Sequence, residues 1–349
     1  MDRDPDRYRL SPDKHRAIYK SRIAPLLFAQ AAPVERPTAL VLGGQPGAGK
    51  SALLAAAHAE FDRRGGLIEI IGDDLRAFHP RYSELQRQDD RTAAFFTDRD
   101  SGRWIEMAIA DAAGRRCNVA VEGTMRLPDK VAETLTRFRD SGFVTDARAL
   151  AVNPELSALG ILQRFIAQKD SRGYGRMTSM EAHRAALGGM LDTLDRMQDE
   201  RLADRLTIYR RGGEILHRFD FSRPLPDERA RVRLSSASAG APTAEEVAYR
   251  RREIDRLAPA LQRYGIVPQA KAKPDRGRTD QGRGKNPRER WRGARLIHCV
   301  NQSREFDRNS RQTSRAGAGR IRGCIAASGP VRPDRADRAR SCPQYPSPL

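Results

Sequence analysis

Cysteine is scarce in this 349-residue chain: Cys117, Cys299, Cys324 and Cys342 are the only four, none forms a C-x-x-C pair, and none has a histidine at zinc-finger spacing, although His298 adjoins Cys299. That argues against a disulfide framework and against a zinc-built domain. Cys117, just ahead of an apolar run, reads as a small packing residue instead of a nucleophile. Long hydrophobic stretches are missing too, since no run approaches the roughly 20 apolar residues that cross a bilayer. Met1 to Lys20 carries Arg, Lys and Asp where a secretory leader would have its apolar core. The expectation is a cytoplasmic protein with no membrane contact. No internal repeat is found. Acidic residues are in deficit, 45 against 64 basic ones, for a net charge of +19. The imbalance is local, however: residues 271–349 hold 20 basic and 7 acidic side chains, and residues 1–270 hold 44 and 38. Any nucleic-acid contact is therefore expected only through the basic tail, and the charge says little about the chemistry of the body.

What is present reads as alternating strands and helices. Thr38-Ala-Leu-Val-Leu42, bounded by Gly43-Gly44, is a short continuous apolar run of the kind buried on both faces of a parallel sheet. Leu67–Ile71, Asn118–Val121 and Val144–Val152 repeat the pattern, and Thr207–Tyr209 with Glu214–Phe219 reads as a closing pair around Gly212-Gly213. Helical spacing is expected over Ser11–Phe28, Ser51–Phe61, Trp104–Ala113, Lys130–Arg139, Pro154–Lys169 and Ser179–Gln198. This order predicts an α/β fold with a doubly wound, mostly parallel sheet and flanking helices. Residues 1–222 form the expected main domain. Residues 223–270 read as a linker, with the Ser- and Ala-rich stretch 235–242 at its centre, and a short amphipathic helix, Thr243–Tyr264, opened by a Thr243/Glu246 capping box. From 271 to 349 apolar periodicity vanishes, which predicts a disordered tail.

The chemistry starts at Gly44-Gln45-Pro46-Gly47-Ala48-Gly49-Lys50-Ser51, a full Walker A pattern between an expected strand and an expected helix. Its glycines let backbone N–H groups curl around phosphate oxygens at a helix N-terminus. Lys50 would reach the β- and γ-phosphates of ATP, and Ser51 would ligate Mg²⁺. The next strand ends in Gly72-Asp73-Asp74-Leu75-Arg76, where a carboxylate, Asp73 by preference, could take a proton from an acceptor hydroxyl; the plainer alternative is that one of the two acids caps the helix that follows. Glu122, at the end of the third strand, fits either an acid near Mg²⁺ or a holder of substrate hydroxyls. Arg164, Arg172 and Arg176 are candidates to stabilise charge on a transferring phosphoryl group, although single arginines in so Arg-rich a chain are usually solvated.

Taken together, these blocks resemble the zeta toxin family, the kinases of toxin–antitoxin pairs, along roughly residues 8–220. The resemblance is carried by Tyr8-Arg9-Leu10-Ser11 with His15, by Leu42-Gly43 and the Walker A segment, by Gly72–Arg76 with His79-Pro80 and Tyr82, by Glu122-Gly123-Thr124 with Arg126, and by Arg164, Arg176, Thr178 and His183. It implies a P-loop kinase fold, ATP and Mg²⁺ as cofactors, UDP-N-acetylglucosamine phosphorylated at its sugar 3′-hydroxyl, and a cognate antitoxin as partner. It further implies Asp73 as catalytic base, Glu122, Thr124 and Arg126 as a substrate-contacting block, and Arg164 and Arg176 as phosphate-binding arginines. Other hydroxyl acceptors, an antibiotic or a nucleic-acid end, are the alternatives within kinases; a nucleotide-gated nucleic-acid-binding protein is the alternative outside them.

Overall fold

The computed structural model describes residues 4–266, so the tail expected to be disordered lies outside the described residues. Six strands, β1 (Thr38–Gly43), β2 (Ile68–Ile71), β3 (Val119–Glu122), β4 (Val144–Ala151), β5 (Arg205–Arg210) and β6 (Ile215–Asp220), form one sheet in the order β2-β3-β1-β4-β5-β6. Every neighbouring pair is parallel except β5 with β6. The helices are α1 (Pro12–Ile18), α2 (Ala24–Leu27), α3 (Lys50–Phe61), α4 (Gly72–Leu75), α5 (Tyr82–Gln88), α6 (Ala93–Arg115), α7 (Pro128–Asp140), α8 (Pro154–Arg172), α9 (Met180–Asp199), α10 (Ala230–Ala239) and α11 (Ala244–Arg263).

Both faces of the sheet are covered, as the unbroken apolar run of β1 requires. All six of its residues are buried, and side chains two apart share a face: Leu40 and Leu42 pack with Leu53, Leu54 and Phe61 of α3, while Val41 packs with Leu135 of α7 and Met190 and Leu194 of α9. A third cluster joins Ile70 of β2 and Val119 of β3 to Trp104 and Ala108 of α6. The chain leaves β1 for the edge strand β2, returns to β3 and then crosses to β4 on the other side. β1 is therefore the topological switch, and its C-terminal end is where an open α/β sheet presents a ligand crevice.

Three expectations change. The helix expected over Ser11–Phe28 is divided by a π-helical turn, Tyr19–Ile23, between α1 and α2; Ser11 does cap α1, accepting the Lys14 N–H at 3.4 Å. The helix expected from Trp104 begins eleven residues earlier, at Ala93. The Ser/Ala stretch 235–242, expected as a linker, is helical through Ala239. Ala230 and Leu234 of α10 are buried against α9, and Ile254, Leu257 and Leu261 of α11 are buried against Leu162 and Phe165 of α8. The Thr243/Glu246 capping box opens α11 as expected. Residues 223–266 thus pack on the α/β body.

Candidate functional site

Register brings the site together before any side chain is considered. Glu122, the last residue of β3, pairs with Leu42 of β1 on one side and Ile71 of β2 on the other. The segments that follow these strands, 44–49, 72–79 and 123–127, therefore leave the C-terminal end of the sheet side by side.

The Walker A loop is held from below. Gly47 and Gly49 have φ of 79° and 94°, the left-handed region open to glycine, and Gly49 caps α3 so that Lys50 and Ser51 begin the helix. The loop rests directly on α8: a Cβ at Gly47 would lie 2.0 Å from the Ser157 carbonyl oxygen, and one at Gly160 would lie 2.2 Å from the Gly47 carbonyl oxygen. Gln45 is fully buried, its amide nitrogen donating to the Val152 carbonyl at 2.8 Å and to Ser157 Oγ at 3.3 Å; Ser157 in turn shares a 2.7 Å hydrogen bond with buried His183. Pro46 and Ala48 complete the loop, with Ala48 buried, and Ser51 is exposed at its mouth.

The charges converge over this loop. Lys50 Nζ donates to the Gly44 carbonyl at 3.0 Å and lies 3.8 Å from Glu122 Oε1. Burial lowers the Lys50 ammonium to about 8, against the attraction of Glu122 and with the repulsion of Arg164 and Arg176 adding to it. Burial also raises the Glu122 carboxyl, Lys50 notwithstanding. Both partners move toward neutrality, so desolvation outweighs their mutual attraction. Arg164 donates to Thr178 Oγ1 at 3.2 Å while its buried Nε has no partner among the described residues, and burial lowers it as well. Arg176 is lowered by burial to about 10 and contacts Asp73. Its loop is pinned: Gln168 accepts the Arg176 N–H at 2.8 Å, and Asp90 accepts the Gly175 N–H at 3.1 Å and lies 2.8 Å from Lys169. Arg172, the last residue of α8, is exposed, with its guanidinium over the Tyr174 ring.

Asp73 is half-exposed in the first turn of α4, in contact with Arg76 at 3.3 Å and with Arg176. Neither Asp73 nor Asp74 caps that helix, which has no side-chain cap; both sit within its first turn, where acids complement the helix dipole. Burial, with Glu69 adding to it, raises the Asp74 carboxyl. On the third loop, Met125 is buried at φ 51°, and its carbonyl accepts the Thr193 hydroxyl of α9 at 2.6 Å. This clamp leaves Thr124 half-buried and Arg126 exposed, 3.9 Å from Asp98 of α6. Arg76, Asp90, Asp98 and Gln168 are site residues that sequence reading did not assign. Only Arg76 lay within a recognised motif; the others come from elements whose approach no local spacing announces.

The donor set fits a polyphosphate. Three cations, Lys50, Arg164 and Arg176, are desolvated together with one half-buried acid, Glu122, one guanidinium nitrogen has no partner among the described residues, and the loop between them has no Cβ at Gly44, Gly47 or Gly49. Among the described residues no group of three or more His, Cys, Asp or Glu converges to hold a metal alone. A Mg²⁺ ion in such a site takes one or two protein oxygens and completes its shell with phosphate and water, which Ser51 Oγ could serve. No described helix is long and apolar enough to cross a membrane.

The family model described as Zeta toxin matches residues 26–220. The chain is 29% identical over 178 residues to Toxin PezT of Streptococcus pneumoniae, an alignment covering 51% of this chain and 70% of that protein. It is 30% identical over 185 residues to Toxin zeta of Enterococcus hirae and to Toxin zeta of Streptococcus pyogenes, covering 53% of this chain and 64% of each. Less than two thirds of the length of these zeta toxins is therefore spanned. A solved structure from the PezAT chromosomal toxin–antitoxin system of S. pneumoniae shares the fold with a TM-score of 0.63 at 23% identity, over 73% of this chain and 99% of that one.

Proposed function

Since the chain belongs to the zeta toxin family, we propose that it is an ATP- and Mg²⁺-dependent kinase that phosphorylates UDP-N-acetylglucosamine at the sugar 3′-hydroxyl, as the cytoplasmic toxin of a toxin–antitoxin pair. The observation that carries the kinase part of this reading is the desolvated cluster of Lys50, Arg164 and Arg176 over the glycine loop: it is short of negative charge in a way that a triphosphate relieves. Bound ATP supplies the phosphoryl group, and Mg²⁺ held through Ser51 would neutralise charge on its oxygens. The protein's part is positioning and electrostatics. Lys50 and the loop amides fix the phosphates, and Arg164 and Arg176 stabilise the charge on the group in flight. Asp73 takes the proton of the acceptor hydroxyl as its oxygen bonds to phosphorus and ADP leaves. Glu122, beside Lys50, stands at the phosphate end of the acceptor site, and Thr124 and Arg126 line it farther along the same loop. The PezT and PezAT names support an antitoxin partner. The basic segment that suggested a kinase of nucleic-acid ends lies outside the described residues.

The test is incubation of the protein with ATP, Mg²⁺ and a panel of sugar nucleotides, read by mass. A gain of one phosphate on UDP-N-acetylglucosamine, lost in Lys50→Ala, is expected. Transfer to a different member of the panel would correct the acceptor, and no transfer to any of them would defeat the sugar-nucleotide reading.

A further inference from the structure

Asp73 has two guanidinium neighbours, and they are held in different ways. Arg176 comes from the loop between α8 and α9 and belongs to the cation cluster that a phosphate would engage. Arg76 comes from the turn after α4, and its side chain is only 11% exposed. Its three nitrogens are separately committed: Nε donates to Asp73 Oδ1 at 3.3 Å, Nη1 to the Ala94 carbonyl at 2.8 Å, and Nη2 to Asp98 Oδ1 at 2.5 Å. Ala94 and Asp98 lie one turn apart in α6, so the guanidinium plane is fixed against a 23-residue helix before it meets the carboxylate. Both arginines make their closest approach at Oδ1, which leaves Oδ2 the less engaged oxygen.

We infer that Arg76 is a positioning residue for the base: anchored by Ala94 and Asp98, it holds Asp73 through Oδ1 and leaves Oδ2 to accept the hydroxyl proton. The inference rests on the proposed kinase reading. When a phosphate competes for Arg176, the contact from Arg76 is the one that persists, and α4, a single turn with no side-chain cap, has little else to fix the angle of Asp73. Asp98 has a second task in this arrangement, because its other oxygen faces Arg126 at 3.9 Å. Through Arg76 and Arg126 the same α6 carboxylate therefore ties the segment carrying the base to the loop assigned to the acceptor.

The experiment is a double-mutant cycle in phosphotransfer kinetics with UDP-N-acetylglucosamine and the sugar-nucleotide panel as acceptors. Arg76→Ala should lower kcat by about 10- to 100-fold, the scale on which a misplaced catalytic group loses rate, with KM for ATP within about threefold. Arg76→Lys, whose single ammonium cannot satisfy Asp73, Ala94 and Asp98 together, should fall between wild type and Arg76→Ala. In an Asp73→Asn background the Arg76→Ala change should cost less than about threefold, because the group it positions is already gone. Asp98→Asn, which leaves Arg76 in place, should lower kcat in the same direction but by less, and it carries the test if Arg76→Ala does not fold. A wild type that phosphorylates nothing on the panel overturns the sugar-nucleotide kinase reading. An active wild type whose Arg76 and Asp98 variants match it, or whose Arg76→Ala loss is undiminished beside Asp73→Asn, overturns the positioning role alone.

Discussion

Lys50 ties the chemistry of the site to pH. In an unfolded chain its ammonium titrates at about 10.4, and in the folded protein burial brings it to about 8. Between those values the unfolded chain binds more protons, so this group's contribution to folding improves as pH rises from 8; below 8 both states are protonated and the penalty for the buried charge is constant. Bound phosphates favour the ammonium. Nucleotide binding should therefore take up protons above pH 8, and affinity for ATP should weaken as pH rises further. Calorimetric titration at pH 8.5 in two buffers of different ionisation enthalpy checks this, and an affinity that is flat from pH 7 to 9.5 would contradict it. Asp73 and Asp74 are separable by substitution. Asp73→Asn should lower single-turnover phosphotransfer by roughly two to four orders of magnitude, the usual worth of a general base, with ATP affinity little changed. Asp74→Asn removes a charge that burial already disfavours and breaks no cap, so stability should stay within about 0.5 kcal/mol and phosphotransfer near wild type. If Asp74→Asn is the silent enzyme, the two acids have been assigned the wrong way round. At this scale local spacing singled out the acids and the lysine, because strand ends and the glycine loop give it a meaning, whereas Arg164 and Arg176 stood out only through the family resemblance. The sequence did not reveal Arg76 bridging to Asp98, since a contact to a residue 22 positions later on a separate helix leaves no periodic trace, and charged residues in an Arg-rich chain ordinarily face solvent.

Between elements, the tightest dependence is the Walker A loop on α8. Gly160 sits in the middle of that helix, where glycine costs about 1 kcal/mol relative to alanine, yet a Cβ there would meet the Gly47 carbonyl oxygen at 2.2 Å. Backbone, not a flexible side-chain end, is what would have to move. Gly160→Ala should therefore shift the loop and weaken ATP binding severalfold even as it improves helix propensity, with a stability loss of about 1–3 kcal/mol from overpacking. Nucleotide titration beside a melting curve measures both effects; unchanged affinity would mean that the loop is not seated by α8. The seven residues after Gly44 were legible as a phosphate loop from their own pattern, whereas Gly160, more than a hundred positions away, carried no signal until β4 and α8 brought it underneath. The reverse error occurred at α10. Ser and Ala dominate 235–239 and suggested a linker, but Ala is the best helix former and Leu234 with Ala230 supplies a face to bury, so contact with α9 decided what composition left ambiguous.

For the whole chain, the family match ends at residue 220 while packing continues to 266. Two truncations separate these boundaries. Removing 271–349 takes away 20 basic and 7 acidic residues and no residue of the site, so phosphotransfer should stay within a few-fold and any salt-sensitive nucleic-acid affinity should drop. Removing everything after residue 222 strips α10 and α11 from the body. It would uncover Leu162, Phe165 and Ile166 of α8 and Leu194 and Met197 of α9, and would break the hydrogen bonds from Gln163 to Tyr249 and Glu253 and the pairs of Arg229 with Asp195 and Asp199. Exposed ion pairs such as those of Arg229 are worth about 0–1 kcal/mol each, whereas burying a large apolar side chain is worth about 1.5–3 kcal/mol, so the lost apolar cover dominates. Because α8 also seats the Walker A loop and carries Arg164, instability there reaches the nucleotide. The 1–222 protein should melt at a lower temperature than the 1–270 protein, aggregate on warming and bind ATP more weakly, with part of the deficit recovered when nucleotide is added in excess. Melting curves of both truncations with and without ATP and Mg²⁺ decide the matter. Equal stability of the two would place the end of the folding unit at the end of the family match and reduce α10 and α11 to passengers on its surface.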